Sequence, residues 1–189
     1  MKGLLGAVAV AAVLSWAGLA NAVPIAAGSE LSTNGSDTFT ATSISFLNPG
    51  NIGGTTGSFQ TDFGIVPPQI TAVVTFTDFT NASSNFQLYT ATANGNTTTL
   101  VAATIDSFVF TPGTPLQSLD VKGTGTLTLT GFDPTPGNWE LTTQGPGGTA
   151  VVTFSNTAVA TAVGEPGSIG LFSLALLMTG WLYAKRRQQ

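Results

Sequence analysis

The chain has 189 residues and a formal net charge of −4, contains neither cysteine nor histidine, and only 7% of its residues are charged. This composition excludes disulfides, zinc sites built from Cys and His, and catalysis by an imidazole base. Five lysines and arginines cannot neutralise a track of phosphates, so nucleic-acid binding is not expected. We assign no metal and no cofactor.

Residues 1–22 are predicted to be a secretory signal peptide. Lys2 supplies the positive charge, an apolar stretch follows, and Ala20 and Ala22 form the small-x-small site that signal peptidase recognises. Cleavage there leaves Val23 as the first residue of the mature protein. The alternative is an uncleaved N-terminal membrane anchor.

Residues 23–157 are predicted to form one all-β domain. Threonine, which favours strands, is abundant, whereas the Lys, Arg and Glu typical of helix surfaces are nearly absent. Between Leu119 and Thr130, apolar residues and glycines alternate with polar residues, which indicates a strand with one buried face. We expect a single β-sandwich, jelly-roll-like or Ig-like in architecture.

The other strands and turns of this domain follow from apolar runs and turn residues. Glu140 is expected on a polar face, between Trp139 and Leu141, which point inward. Strands are predicted over 38–46, 70–79, 86–93 and 97–105, and at the pairs Phe108/Phe110, Trp139/Leu141 and Val152/Phe154. Turns are predicted at 48–51, Asn94-Gly95, 112–113, 133–138 and 145–148.

Acidic pairs are the first candidates for catalysis, because residues 23–163 contain eight acidic side chains and only one basic side chain, Lys122. Asp120, Asp133 and Glu140 could supply the two carboxylates of a glycosidase. The preferred interpretation is structural, since Asp120 and Glu140 lie on polar strand faces and Asp133 begins a turn. No nucleophile elbow occurs in this region, so we assign no catalytic residue and predict that the protein is not an enzyme.

Three further binding hypotheses compete with structural explanations. The oxygen-rich segment 34–37 could bind calcium, but it lacks the EF-hand order and is better explained as a turn. Threonine hydroxyls could accept O-linked glycans or contact polysaccharide, although strand propensity alone explains their number. A carbohydrate-binding module would need an exposed aromatic platform, for which Trp139 and Tyr89 are the candidates.

The C-terminal part is predicted to hold a membrane segment. Residues 158–167 form a linker, and the uncharged residues 168–184 form a transmembrane helix about 25 Å long at ~1.5 Å per residue. Lys185, Arg186 and Arg187 follow at once and begin a basic cytoplasmic tail, residues 185–189.

The order of Glu165-Pro166, an apolar span and a basic tail resembles the PEP-CTERM sorting signal, over residues 163–189. Gly164 stands where that family usually has its first proline. The resemblance implies recognition by exosortase, a membrane-embedded, transpeptidase-like cysteine enzyme of Gram-negative bacteria with exopolysaccharide loci. It also implies processing near Glu165-Pro166, whereas a permanent anchor is the alternative.

These signals lead to one expected function and one alternative. We expect a non-catalytic secreted protein that passes through an inner-membrane intermediate to the cell surface or extracellular matrix. There it would be a structural or adhesive component of biofilm or exopolysaccharide. The expected partners are signal peptidase and exosortase during processing, the membrane before processing, and extracellular polysaccharide afterwards. The alternative is a carbohydrate- or small-ligand-binding surface module.

Overall fold

A computed structural model describes residues 22–63, 72–146, 151–163 and 176. In these residues the chain forms eleven β-strands and one short helix, α1 (Gly57–Phe63). The strands are β1 (Val23–Pro24), β2 (Glu30–Phe39), β3 (Ser43–Thr55), β4 (Val73–Phe76), β5 (Phe79–Thr80), β6 (Phe86–Ala93), β7 (Asn96–Thr111), β8 (Gln117–Leu129), β9 (Phe132–Asp133), β10 (Thr135–Gly145) and β11 (Val152–Ala160).

Eight of these strands form a closed antiparallel barrel. Around the barrel they follow the order β2, β3, β4, β6, β7, β8, β10 and β11, and β11 pairs with β2 to close the sheet. Every strand therefore lies between its predecessor and its successor in the chain, which is an up-and-down meander. Strand β5 adds a short pairing to β3, and β1 pairs in parallel with β9.

The all-β class is confirmed, but the predicted sandwich is wrong. Alternation of apolar and polar residues shows that a strand has one buried face. It does not show whether a second sheet covers that face or whether the same sheet curls round to enclose it. Here β2 pairs with both β3 and β11, so the large sheet closes on itself. The other sheet among the described residues, the pair β1–β9, has two residues in each strand and is too short to cover it.

Side chains fill the interior of the barrel. The rings of Phe46, Phe76 and Phe154 pack on one another with centroid distances of 4.8 to 4.9 Å. Gly123 faces inward and makes room for Trp139, because a Cβ at this position would lie 2.8 Å from the indole ring. It would also lie 2.1 Å from the carbonyl oxygen of Thr104, so only glycine fits there.

Helix α1 packs against one end of the barrel. It buries Phe59 and Phe63 completely, and the carbonyl oxygen of Asp62 accepts a hydrogen bond of 2.6 Å from Nδ2 of Asn96. The beginning and the end of the domain meet at the same barrel end. There, the amide of Gly28 donates to the carbonyl oxygen of Ala160 at 2.9 Å.

Several predicted boundaries in the first half of the chain need correction. The strand predicted over 38–46 is two strands, because the Thr40 hydroxyl accepts from the amides of Thr42 and Ser43 and holds a turn. Segment 34–37 lies within β2 and segment 48–51 within β3, so neither is a connecting turn. Both fall where the β2–β3 register is irregular, and such irregularities accommodate Gly and Pro inside a sheet.

The turn predicted over 133–138 is wrong, because β10 already begins at Thr135, but some other local predictions are confirmed or extended. Asn94 and Gly95 have φ angles of 51° and 79°, as expected for a two-residue hairpin turn. The alternation from Leu119 to Leu129 is confirmed along β8. Phe108 and Phe110 belong to the long strand β7 rather than to a strand of their own.

The end segments are described only in part. Strand β11 extends to Ala160, so the first three residues of the predicted linker 158–167 belong to the barrel. Several predicted features lie outside the described residues. They are most of signal peptide 1–22 including Ala20, the motif Gly164, Glu165 and Pro166, helix 168–184 except Leu176, and the basic residues Lys185, Arg186 and Arg187. In the ranges that are described, no helix is long and apolar enough to cross a membrane.

Candidate binding site

Two adjacent depressions lie side by side along the seam between β8 and β10. We call them together the β8–β10 cleft. The first has a volume of about 390 Å³ and the second about 590 Å³. The first is lined by Asp106, Lys122, Gly123, Asn138, Trp139, Glu140, Thr157 and Val159. The second is lined by Ser118, Leu119, Asp120, Thr142, Thr143, Gln144, Thr153 and Phe154.

The register of two strands places the polar lining residues of the cleft. Strand β10 alternates strictly, so Asn138, Glu140, Thr142 and Gln144 all face outward. Antiparallel pairing then sets Glu140 opposite Lys122, Thr142 opposite Asp120 and Gln144 opposite Ser118. The outward residues of the two strands therefore form cross-strand pairs along the cleft.

Lys122 is held between two carboxylates in the middle of the cleft. Its Nζ lies 3.0 Å from Oε1 of Glu140 and 3.8 Å from Oδ2 of Asp120. The hydrogen bond to Glu140 and the nearby charge of Asp120 raise the pKa of Lys122, so the ammonium stays protonated. A protonated lysine is not a nucleophile, and its charge is already compensated by the two acids.

The structure brings together two of the three acids considered for glycoside hydrolysis. Asp120 and Glu140 meet at Lys122, whereas Asp133 lies in β9 and pairs with Pro24. The side chains of Asp120 and Glu140 are 42% and 49% exposed and share one ammonium. The general acid of a glycosidase instead occupies an apolar pocket that keeps it protonated.

A different region, the threonine ladder, lies on the outside of the β7–β8 pair. It consists of the pairs Thr97/Thr130, Thr99/Thr128 and Thr104/Thr124. Their hydroxyl groups mostly bond to one another or to the backbone. The two Oγ1 atoms of Thr99 and Thr128 are 2.5 Å apart, and those of Thr104 and Thr124 are 2.8 Å apart.

The cleft differs from the ladder because its polar groups are available. Within the described part of the chain, the side chains of Asn138, Thr142 and Gln144 form no hydrogen bond with protein, and all three are exposed. Amides and hydroxyls both donate and accept, so these groups can bind a ligand that does the same. A surface rich in threonine is therefore not by itself a binding site.

Asp37, the acid in the predicted calcium segment, faces the barrel interior. It is fully buried, and its Oδ1 accepts a 3.0 Å hydrogen bond from the hydroxyl of Thr143. Its Oδ2 has no hydrogen-bond partner among the described residues, and burial raises the pKa of Asp37 to about 6. Asn34 is exposed on the same strand, so the two do not share a site. In the described ranges, no three acidic side chains come together as metal ligands.

The two aromatic candidates do not form an exposed platform. Trp139 is 2% exposed and donates its indole N–H to the carbonyl oxygen of Thr124 at 3.3 Å, and Tyr89 is fully buried. Burial also raises the pKa of the Tyr89 phenol. The inward position predicted for Trp139 is confirmed.

Sequence reasoning missed Asn138, Thr142 and Gln144 as candidate binding residues. The alternation from Thr135 to Gly145 places them on one face, but only the register with β8 shows what lies opposite. No known protein family, curated protein or solved structure matches this chain.

Proposed function

We propose that this chain is a non-catalytic secreted protein that an exosortase-type system sorts to the cell surface or extracellular matrix. There the barrel is a structural or adhesive component of biofilm or exopolysaccharide. The observation that carries this proposal is the ordered C-terminal sequence. In it, Glu165-Pro166 precedes the apolar span 168–184 and the basic residues from Lys185.

The geometry of the chain ends is compatible with this route. Strand β11 ends at Ala160, and Glu165 follows it five positions later in the sequence. Fully extended, that stretch spans at most about 17 Å at ~3.4 Å per residue. Before processing, the barrel is therefore held next to the membrane, with the end where its N- and C-terminal segments meet facing the bilayer.

Intact-mass spectrometry of the chain recovered separately from membrane, cell surface and culture fluid tests the proposal. We expect Val23 as the first residue and loss of everything after about residues 164–166. A Glu165→Ala/Pro166→Ala variant should keep residues 168–189 and stay in the membrane fraction. Gln188→Ala, a matched change in the tail, should be processed normally.

A full tail in every fraction of the unaltered protein would contradict sorting by this route. It would instead indicate a permanently anchored domain. Normal processing of the Glu165→Ala/Pro166→Ala variant would show that the motif does not direct processing.

The alternative function is a carbohydrate- or small-ligand-binding surface module. The observation that favours it is the cleft, in which the side chains of Asn138, Thr142 and Gln144 are exposed and form no hydrogen bond with any described residue. The two functions are compatible, because a matrix component can be held in place by binding the matrix.

A further inference from the structure

We propose that the β8–β10 cleft binds a neutral polysaccharide in an extended conformation. The polymer lies along the two strands, from the pair Ser118/Gln144, past the pair Lys122/Glu140, to Asn138. The inference deepens the proposed function, on which its biological setting rests, because it names the matrix partner and the surface that contacts it.

The shape of the cleft fits a linear polymer. Its two depressions follow each other along the strands, and Asn138 and Gln144 are about 20 Å apart at ~3.3 Å per residue. Volumes of about 390 and 590 Å³ lie in the range of small-molecule sites, so each depression can hold sugar units. A chain of linked sugars can occupy both depressions at once.

The lining of the cleft offers hydrogen bonds to sugar hydroxyls, and these take the place of the aromatic platform that the buried Trp139 and Tyr89 do not form. The amides of Asn138 and Gln144 and the hydroxyl of Thr142 each offer a donor and an acceptor, and none is used within the described protein. The carboxylate of Glu140 and Oδ2 of Asp120 add acceptors, whereas Oδ1 of Asp120 is buried. All of these groups project from paired strands rather than loops, so little backbone freedom is lost when a ligand binds.

The charges of the cleft favour a neutral polymer over an anionic one. Asp106, Asp120 and Glu140 repel anions, and the neighbouring cation, Lys122, already contacts two of these carboxylates. Lys122 is also the only basic side chain in the described part of the chain. An acidic polysaccharide therefore finds no unpaired positive charge here.

Affinity electrophoresis of the full chain in mild detergent tests the proposal. Native gels contain dextran, galactomannan or mixed-linkage β-glucan as neutral polymers, alginate as the anionic polymer, or chitosan as the cationic polymer. We expect at least one neutral polymer to retard the protein at moderate salt, and alginate to leave its mobility unchanged.

Paired variants locate the contact surface. Asn138→Ala/Gln144→Ala in the cleft should weaken binding about tenfold or more, because two hydrogen bonds to the ligand are lost. Thr99→Val/Thr128→Val removes two hydroxyls of the threonine ladder and should leave binding unchanged. Near-UV circular dichroism of both variants checks that the barrel is intact.

Four results would overturn the proposal. These are no retardation by any neutral polymer, retardation by chitosan alone that salt abolishes, equal losses of binding in the cleft and ladder variants, and retardation explained by self-association in light scattering.

Intact-mass spectrometry of the chain separates this proposal from the proposed function. Correct processing without polymer binding removes only the cleft's role, whereas binding without processing removes only the sorting route.

Discussion

The inner and outer faces of the β8–β10 pair differ in almost every property. The inner face carries Leu119, Val121, Leu141 and Trp139, all of them buried. The outer face carries the ion pair of Lys122 and Glu140 together with exposed amides and hydroxyls. One alternating pattern thus places core residues of the barrel on one face and the candidate site on the other. Substitutions in the candidate site should therefore leave the core unchanged, and the reverse.

The largest expected effect comes from the inner face. Trp139→Ala should lower the free energy of unfolding by about 3–5 kcal/mol, because it removes the buried ring and leaves a cavity beside Gly123. Chemical unfolding of the full chain followed by circular dichroism measures it. Asn138→Ala, one residue away on the outer face, should change stability by less than about 0.5 kcal/mol. Equal effects of the two variants would show that the faces are not divided as described.

A smaller effect is expected at Asp37, the charged residue on the inner face. Its pKa is about 6 in the folded protein against an ordinary 3.8, so the folded state binds the proton more tightly. The contribution of Asp37 to the free energy of unfolding should therefore be largest below about pH 4, fall as the pH rises to about 6, and then stay level. The difference corresponds to about 3 kcal/mol.

Asp37→Asn should keep the fold and remove most of this pH dependence, since the amide cannot ionise. Its gain in stability should appear at pH 8 and vanish at pH 3, measured by unfolding at both pH values. Asp106→Asn, a change at an exposed acid of the cleft, serves as the control. A variant that is no more stable than the original protein at pH 8 would argue against a buried, raised-pKa carboxyl.

The smallest effect on folding is expected on the outer face. Lys122→Gln breaks two ion pairs, but all three side chains are about half exposed, and exposed pairs contribute little to stability. We expect an almost unchanged melting temperature and continued retardation by the neutral polymer. A clear loss of stability would mean that the ion pairs help to hold β8 and β10 together.

The sequence predicts the parts of this fold that depend on neighbouring residues. The alternation along Leu119–Leu129, the Asn94-Gly95 turn and the inward position of Trp139 all follow from local patterns. Closure of the barrel depends instead on β2 pairing with β11, which lies more than 100 residues away in the chain. No local pattern encodes which distant strand completes a sheet.

The candidate site is less predictable for the same reason. The sequence places Glu140 on a polar face, but its position opposite Lys122 comes from the β8–β10 register. Asp37 was misjudged because Asn, Gly, Ser and Asp together are typical of turns. In the barrel that segment continues β2, and strand alternation carries Asp37 inside.

The joining of β10 to β11 has a mechanical consequence. Their register runs without interruption from Gly137 opposite Ala160 to Gln144 opposite Thr153. If the protein is held through the chain that follows Ala160 and a polymer pulls on β10, the load acts parallel to the strands. The hydrogen bonds between them then share the force in shear instead of opening one after another, so the barrel should resist pulling best along the direction of its strands.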